Sequence, residues 1–215
     1  MMPEFDKAAP RLTFKLVYYG PAQSGKTTNL MRLHDLLAPE LKGEMLTLET
    51  QGDRTLFFDL LPMGFRAPSG LLVKLRLFTV PGQVAHDGTR KAVLSRADGV
   101  IFVADSQLTQ EANNAESFRN LTDNAARVGL DLERLPLIVQ FNKRDLPAIV
   151  AEDEVRARWT GASWPVTFAT ALTGEGVRAT FDQLLRTVFR RCGQEYELSG
   201  RHGLDEEAFV RGVLG

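Results

Sequence analysis

A phosphate-binding loop is the feature of this sequence that most directly implies chemistry. Gly20-Pro21-Ala22-Gln23-Ser24-Gly25-Lys26-Thr27 has glycines at its first and sixth positions and ends in lysine and threonine. The glycines let the backbone curl until its N–H groups converge on an anion, the lysine reaches the β- and γ-phosphates, and the threonine hydroxyl binds Mg²⁺. The expected phosphate contacts are Gly20, Gln23, Ser24, Gly25, Lys26, Thr27 and Thr28.

The elements that flank this loop have the order that the motif requires. Residues 12–19 form an apolar run typical of a strand, and residues 28–37 carry apolar side chains at helical spacing. A helix that begins at the loop points its partly positive N-terminus at the bound phosphates. Strand, loop and helix together therefore predict a nucleoside phosphate as the ligand.

A second motif, Asn142-Lys143-Arg144-Asp145, follows another apolar run and indicates which base is bound. The carboxylate of Asp145 can accept hydrogen bonds from N1–H and the 2-amino group of guanine, whereas adenine has neither donor. Sites that pair a buried polar group in this way discriminate by about 10⁴–10⁵. The stem of Lys143 is expected along the base, and Asn142 is expected to join loops. Backbone N–H groups of Ala171 and Leu172 are expected near the guanine O6.

Composition narrows the class of protein. The chain has 215 residues with 44% hydrophobic content and a formal net charge of -1, which fits one domain and gives no argument for nucleic acid as a partner. Its one cysteine, Cys192, excludes an internal disulfide and fits a cytoplasmic location. The sequence shows no secretory signal, no membrane-spanning run and no lipidation motif, so no stable membrane anchor is expected.

Apolar runs and helical patterns alternate along the chain and predict an α/β fold. We expect a three-layer P-loop NTPase with a mostly parallel six-stranded sheet and helices on both faces. The predicted strands are residues 12–19, 44–49, 72–78, 99–105, 135–141 and 165–169. The strands at 44–49 and 72–78 are candidates for a hairpin, because Pro62, Gly64, Pro68 and Gly70 between them are turn formers.

The chain is expected to divide into an N-terminal extension at 1–11, a nucleotide-binding domain at 12–192 and a C-terminal extension at 193–215. Acidic residues followed by apolar residues at helical spacing predict a short amphipathic helix in the C-terminal extension. Two interpretations of that helix stay open. It packs on its own domain, which we favour, or it binds a partner.

The order of these motifs resembles that of the Ras-like small GTPases over residues 12–192. Two segments are similar to the bacterial MglA family in particular: Asp53-Arg54-Thr55-Leu56-Phe57-Phe58-Asp59, and Thr79-Val80-Pro81-Gly82-Gln83. The chain is identified as a member of that family. The resemblance implies GTP and GDP as ligands with Mg²⁺, a roadblock-type activating protein, and effectors in cell polarity or motility.

The resemblance also implies roles for residues in the two segments that respond to the γ-phosphate. Thr55 would bind Mg²⁺ together with Thr27, and the Gly82 N–H would bind the γ-phosphate. Gln83 would orient the attacking water, and Arg54 would neutralise transition-state charge as an arginine finger in cis. The expected catalytic residues are therefore Gln83, Arg54 and Thr55.

The sequence departs from the usual small GTPase pattern at two places, and the second of them predicts slow hydrolysis. Thr79 stands where most of these proteins carry an aspartate near Mg²⁺, and Ala22 and Gln23 stand where glycine is common. The Ala22 methyl group would crowd the γ-phosphate, and catalysis depends on close positioning. Two alternatives therefore stay open: a GTP-binding scaffold with negligible turnover and, disfavoured by Asp145, a P-loop ATPase or kinase.

Overall fold

The structure is a computed structural model that describes residues 4–6, 10–48, 58–81 and 87–215. Its strands are β1 (Glu4–Asp6), β2 (Arg11–Tyr19), β3 (Leu46–Leu48), β4 (Phe58–Arg66), β5 (Leu72–Thr79), β6 (Gly99–Asp105), β7 (Leu137–Asn142) and β8 (Val166–Phe168). Its helices are α1 (Lys26–Leu36), α2 (Asp87–Leu94), α3 (Glu111–Arg127), α4 (Glu152–Trp159), α5 (Val177–Cys192), α6 (Leu198–His202) and α7 (Glu206–Leu214). Short 3₁₀ turns lie at Pro39–Leu41 and Leu108–Gln110.

The strands form one mostly parallel sheet. Their order is β3-β4-β5-β2-β6-β7-β8, and β1 pairs with the first part of β2. Pairings are parallel from β5 through β2, β6 and β7 to β8, and antiparallel where β1, β3 and β4 join. The α/β class and the mostly parallel sheet are confirmed. The described residues form eight strands rather than six, because β1 and β4 were not predicted.

The strand pairing at one edge of the sheet differs from the predicted hairpin of residues 44–49 with 72–78. β5 pairs with β4 rather than with β3, so the hairpin joins β4 and β5 while β3 pairs with the far side of β4. Pro62 lies inside β4, opposite Arg76 of β5. Its carbonyl accepts from the Gly43 N–H over 2.9 Å, away from β5. The N and C=O of one residue point to the same side of a strand, so the missing N–H of Pro62 removes nothing from the β4–β5 ladder.

Two apolar clusters cover the two faces of the sheet. One contains Leu30 of α1, Phe181 of α5 and Phe209 of α7, and the other contains Leu94 of α2 and Leu121 of α3. β2 contributes side chains to both clusters, because successive side chains on a strand point to opposite faces of the sheet. The expectation of helices on both faces is confirmed.

The C-terminal helix α7 packs on the body of the protein. Phe209 is fully buried, and its ring lies edge-on to Phe14 at a centroid distance of 5.7 Å and to Phe65 at 6.1 Å. Asp205 caps the helix by accepting from the Ala208 N–H over 2.7 Å. The interpretation that the helix packs on its own domain is confirmed, whereas the boundaries at residues 12 and 192 stay a prediction. In the described part of the chain, no helix has the length and apolar character needed to cross a membrane.

Candidate functional site

Four strands end at the same edge of the sheet and bring the sequence motifs together there. β2, β6, β7 and β8 run parallel to one another, so their carboxyl ends share one edge. The phosphate loop follows β2, residues 142–145 follow from the end of β7, and residues 170–172 follow β8. Ligands of open α/β sheets bind at this edge.

The phosphate loop has the backbone geometry that its glycines permit. Gly20 has φ +149°, and a Cβ there would lie 2.2 Å from the Val103 carbonyl oxygen. Gly25 has φ +95°, and a Cβ there would lie 2.2 Å from Nδ2 of Asn142. Any side chain at either position would therefore meet fixed neighbours. Gln23 adds a left-handed residue with φ 61°, which completes the curl.

Lys26 lies at the start of α1 and folds back over the loop. Its Nζ donates to the Pro21 carbonyl over 2.6 Å and to the Gly20 carbonyl over 3.1 Å. The residue is 7% exposed, and burial, with a smaller contribution from the charge of Arg90, lowers the pKa of its ammonium to about 7. Its described hydrogen-bond partners are carbonyl oxygens, so a phosphate at the loop would supply the anion that this ammonium lacks.

The hydroxyl-bearing residues of the loop fit the same ligand. Ser24 is fully buried, and its Oγ has no hydrogen-bond partner among the described residues. Thr27 is exposed and Thr28 is half-buried at the first turn of α1. An unsatisfied buried hydroxyl, a carbonyl-bound ammonium and two glycines that admit no Cβ are the features expected of a phosphate cradle.

Asn142 joins the phosphate loop to the loop that follows β8. It is 2% exposed, its Nδ2 donates to the Ser24 carbonyl over 2.8 Å, and its Oδ1 accepts from the Ala171 N–H over 2.9 Å. The expectation that this side chain joins loops is confirmed. Both hydrogen bonds use backbone groups, so they fix the path of the two loops relative to each other.

Lys143 is held by a carboxylate at the end of the neighbouring strand. Its Nζ lies 2.7 Å from Oδ2 of Asp105, which is buried and stands opposite Asn142 in the β6–β7 register. Lys143 adopts φ 66°, a left-handed conformation that is uncommon for a residue with a side chain. Strained backbone of this kind clusters at functional sites, where the surrounding contacts hold it in place.

The remaining base-site candidates lie beside these residues. Asp145 is exposed, Ala171 is buried, and Leu172 is 64% exposed. Arg32 of α1 donates from Nε to the Leu172 carbonyl over 2.9 Å, which ties this loop to the helix behind the phosphate loop. Ala171 thus lies against Asn142, and the exposed Asp145 carboxylate is accessible to a ligand.

Four predicted site residues lie outside the described part of the chain: Arg54, Thr55, Gly82 and Gln83. Thr79, which stands where most small GTPases carry an aspartate, is the last residue of β5 and is 3% exposed. The roles given to these residues by the resemblance stay predictions.

Sequence reasoning did not single out Asp105 or Arg90. Asp105 ends an apolar run at the ligand edge of the sheet, and that position was the available signal. Arg90 of α2 is fully buried, stacks on the Tyr19 ring at 4.7 Å and donates from Nη2 to Ser117 over 3.1 Å. Asp87, at the start of the same helix, accepts from Asn124 over 2.8 Å. These contacts fix α2 against α3 and against the residue that precedes the phosphate loop.

Comparison with known proteins agrees with this geometry. The sequence model of the ADP-ribosylation factor family matches residues 69–188, more than half of the chain. The chain is 45% identical over 174 residues to the mutual gliding-motility protein MglA of Myxococcus xanthus, which covers 81% of this chain and 89% of that protein. It is 25% identical over 178 residues to ADP-ribosylation factor-like protein 6 of Caenorhabditis elegans, covering 79% of this chain and 83% of that protein.

A further relative is ADP-ribosylation factor-like protein 2 of Drosophila melanogaster, which is 25% identical over 191 residues that cover 82% of this chain and 88% of that protein. Small GTPases bind guanine nucleotides, and none of these similarities points to a P-loop ATPase or kinase. The chain belongs to the MglA-like small GTPases of the Ras-like superfamily, and it is a GTP-binding, GTP-hydrolysing molecular switch.

Proposed function

We propose that the phosphate loop and residues 142–145 bind one guanine nucleotide between them. The observation that carries this proposal is the Asn142 side chain, which hydrogen-bonds to Ser24 in one loop and to Ala171 in the other. Gly20, Gln23, Ser24, Gly25, Lys26, Thr27 and Thr28 contact the phosphates. Lys143, Asp145, Ala171 and Leu172 contact the base, where the Asp145 carboxylate accepts the two donors of guanine.

Mg²⁺ completes the proposed site. Thr27 and Thr55 supply the hydroxyl ligands, and the metal, when bound, neutralises charge on the β- and γ-phosphates. Thr27 supports this assignment because it is exposed beside the buried Lys26. Thr79 brings no negative charge to this region, so this position does not supply the carboxylate that most small GTPases place near the metal.

Hydrolysis is assigned to residues that surround the γ-phosphate. Gln83 orients the attacking water, Arg54 places a guanidinium on the developing charge, and the Gly82 N–H binds the γ-phosphate. The backbone N–H groups of the phosphate loop and the Lys26 ammonium hold the phosphates in place during attack. Loss of the γ-phosphate then releases Thr55, Gly82 and Gln83 from these contacts and changes the surface that the proposed switches, residues 40–70 and 79–95, offer to partners.

The relative from Myxococcus xanthus is named for gliding motility. We extend that role to this chain and propose that its GTP-bound form binds effectors of cell polarity or motility. A roadblock-type protein is the proposed activator, which raises slow intrinsic hydrolysis by completing the arrangement of Arg54 and Gln83.

Phosphate release tests the proposal. The full chain is incubated with GTP or ATP, with and without a candidate roadblock-type protein, and the Arg54→Ala variant is the comparison. The assignment is supported if phosphate is released from GTP but not from ATP, if the partner accelerates this release, and if Arg54→Ala slows it at least tenfold. Equal release from ATP, or an unchanged rate in Arg54→Ala, contradicts it.

A further inference from the structure

A cavity of about 330 Å³ opens between the sheet and helices α3 and α4. Among the described residues that line it, none belongs to the phosphate loop or to residues 142–145. Ligand pockets range from about 300 to 1,000 Å³ and combine apolar walls with a few polar groups. This cavity therefore has the size for a small molecule and lies apart from the nucleotide site.

Aromatic rings form its inner wall. Phe118 of α3 lies edge-on to Phe102 of β6, with ring centroids 5.0 Å apart, and edge-on to Trp159 of α4 at 5.3 Å. Phe141 of β7 also lines the cavity. Flat, rigid walls of this kind match a planar aromatic ring, which gains from both burial and edge-to-face contact.

One cation at the rim, Arg119, favours an anionic group on that ring. Arg158 is paired with Glu111 over 2.8 Å and with Glu154 over 2.6 Å. The Asp105 carboxylate is paired with Lys143. Arg119 lines the cavity, and none of the described residues pairs with its guanidinium. These six charges sum to zero, so it is the Arg119 guanidinium itself that favours a carboxylate on the ligand, as its natural complement.

One polar wall of the cavity is also the support of the proposed base site. Asn114 and Gln107 line the cavity, and both hold Asp105. Asn114 accepts from the Asp105 N–H over 2.9 Å and donates to its carbonyl over 2.8 Å, while Gln107 donates from Nε2 to the carboxylate over 3.2 Å. Asp105 in turn holds Lys143 over 2.7 Å. A molecule packed against Asn114 and Gln107 restricts the groups that position Lys143.

We propose that this cavity binds a planar aromatic carboxylate, and that its occupancy slows release of the guanine nucleotide through Asn114, Asp105 and Lys143. The binding part of this inference is independent of the roles proposed above. The coupling part rests on the proposed contact of Lys143 with the base. Side chains immobilised by the first ligand no longer have to be ordered by the second, which is the physical source of the coupling.

Binding is tested with 2-naphthoate on the full ¹⁵N-labelled chain, by NMR of the tryptophan indole N–H signals. The chain has two tryptophans, and Trp159 lines the cavity while the Trp164 ring lies 6.2 Å from it. We expect a saturable shift of the Trp159 signal. Ala115→Leu, which fills the cavity from α3, abolishes the shift, whereas Ala126→Leu on the same helix outside the cavity leaves it unchanged.

Neutral 2-naphthylmethanol tests the anion requirement. It is expected to bind wild type roughly threefold more weakly than naphthoate, and Arg119→Ala is expected to remove that difference. No shift of Trp159, or a shift that survives Ala115→Leu, overturns the site. Equal affinity of wild type for the acid and the alcohol overturns the carboxylate.

Coupling is tested by release of a fluorescent GDP analogue with and without saturating 2-naphthoate. We expect slower release in wild type and no effect in Asn114→Ala, measured at an acid concentration that the NMR titration of that variant shows to be saturating. Unchanged or faster release in wild type overturns the coupling. Failure to bind any guanine nucleotide would instead contradict the proposed function, while leaving the NMR result as it stands.

Discussion

Asn142 and Ser24 lie 118 positions apart in the chain, and Nδ2 of Asn142 donates to the Ser24 carbonyl over 2.8 Å. The same side chain accepts from the Ala171 N–H. One buried amide thus sets the spacing between the loop that holds phosphates and the loops that hold the base. Nucleotide affinity should depend on this residue although it need not touch the nucleotide.

Replacing Asn142 by alanine leaves the Ser24 carbonyl and the Ala171 N–H without this partner. Each unsatisfied buried group costs about 1–3 kcal/mol, so we expect GDP and GTP to bind roughly 30-fold more weakly. Calorimetric titration measures the loss. Asn113→Ala, at an exposed position of α3, is the matched control and should bind like wild type. Equal affinity of the Asn142 variant and this control would contradict the assignment.

The parts of this site that the sequence predicted are those carried by local chemistry. The glycine spacing around Lys26 and the placement of Asn142 after a strand follow from neighbours in the chain. Asp105 was not singled out, because its role depends on a pairing with Lys143 that only the β6–β7 register creates.

In the fold, too, elements determined by local sequence were predicted, and those that depend on distant neighbours were not. Central strands such as β6 are apolar up to their last residue and were predictable. Strand β4 was not predicted, since Pro62 and Gly64 usually break strands. Pro62 is tolerated here because its backbone N and C=O point toward Gly43 and away from β5. The amphipathic pattern of α7 predicted a helix but did not identify the surface it covers, which includes Phe65 of β4 and Phe14 of β2.

Ala22→Gly should hydrolyse GTP faster than wild type in a single turnover. The methyl group lies in the phosphate loop, at a position exposed in the structure, and its removal opens space beside the γ-phosphate for Arg54. Quench-flow on preformed GTP complexes isolates this step from nucleotide release. A rate no higher than that of wild type would contradict a restraining role for Ala22.

Asp98 should make stability depend on pH. Burial raises the pKa of its carboxyl to about 6, and the hydrogen bond of 2.8 Å from the Lys15 N–H opposes this only in part. Between pH 4 and 6 the folded state therefore binds more protons than the unfolded state, so stability falls as pH rises through this window. Asp98→Asn, which keeps the acceptor, should exceed wild type in free energy of unfolding above pH 6.

Urea unfolding at pH 4.5 and pH 7.5 measures this effect. The advantage of the Asp98 variant should shrink at the lower pH, where wild type binds its proton. An advantage of the same size at both values would show that ionisation of Asp98 is not its source.

Phe209→Ala should destabilise the whole protein. Its ring is fully buried against Phe14, Phe65 and Phe189, and deletions of this kind cost about 3–5 kcal/mol. Thermal unfolding of the full chain reports the loss. Glu207→Ala on the exposed side of α7 should shift the melting temperature far less. A small effect of Phe209→Ala would indicate that α7 detaches from β4 in solution.

We propose that Asp145 selects guanine at a site built around the phosphate loop. This selection is tested most directly by the ratio of GTP to ATP affinity, measured by competition, in wild type and in Asp145→Asn. We predict a wild-type preference for GTP of about 10⁴–10⁵ that falls by orders of magnitude in the variant, with the melting temperature of the nucleotide-free protein unchanged. An equal GTP-to-ATP ratio in the two proteins would contradict the selection of guanine by Asp145.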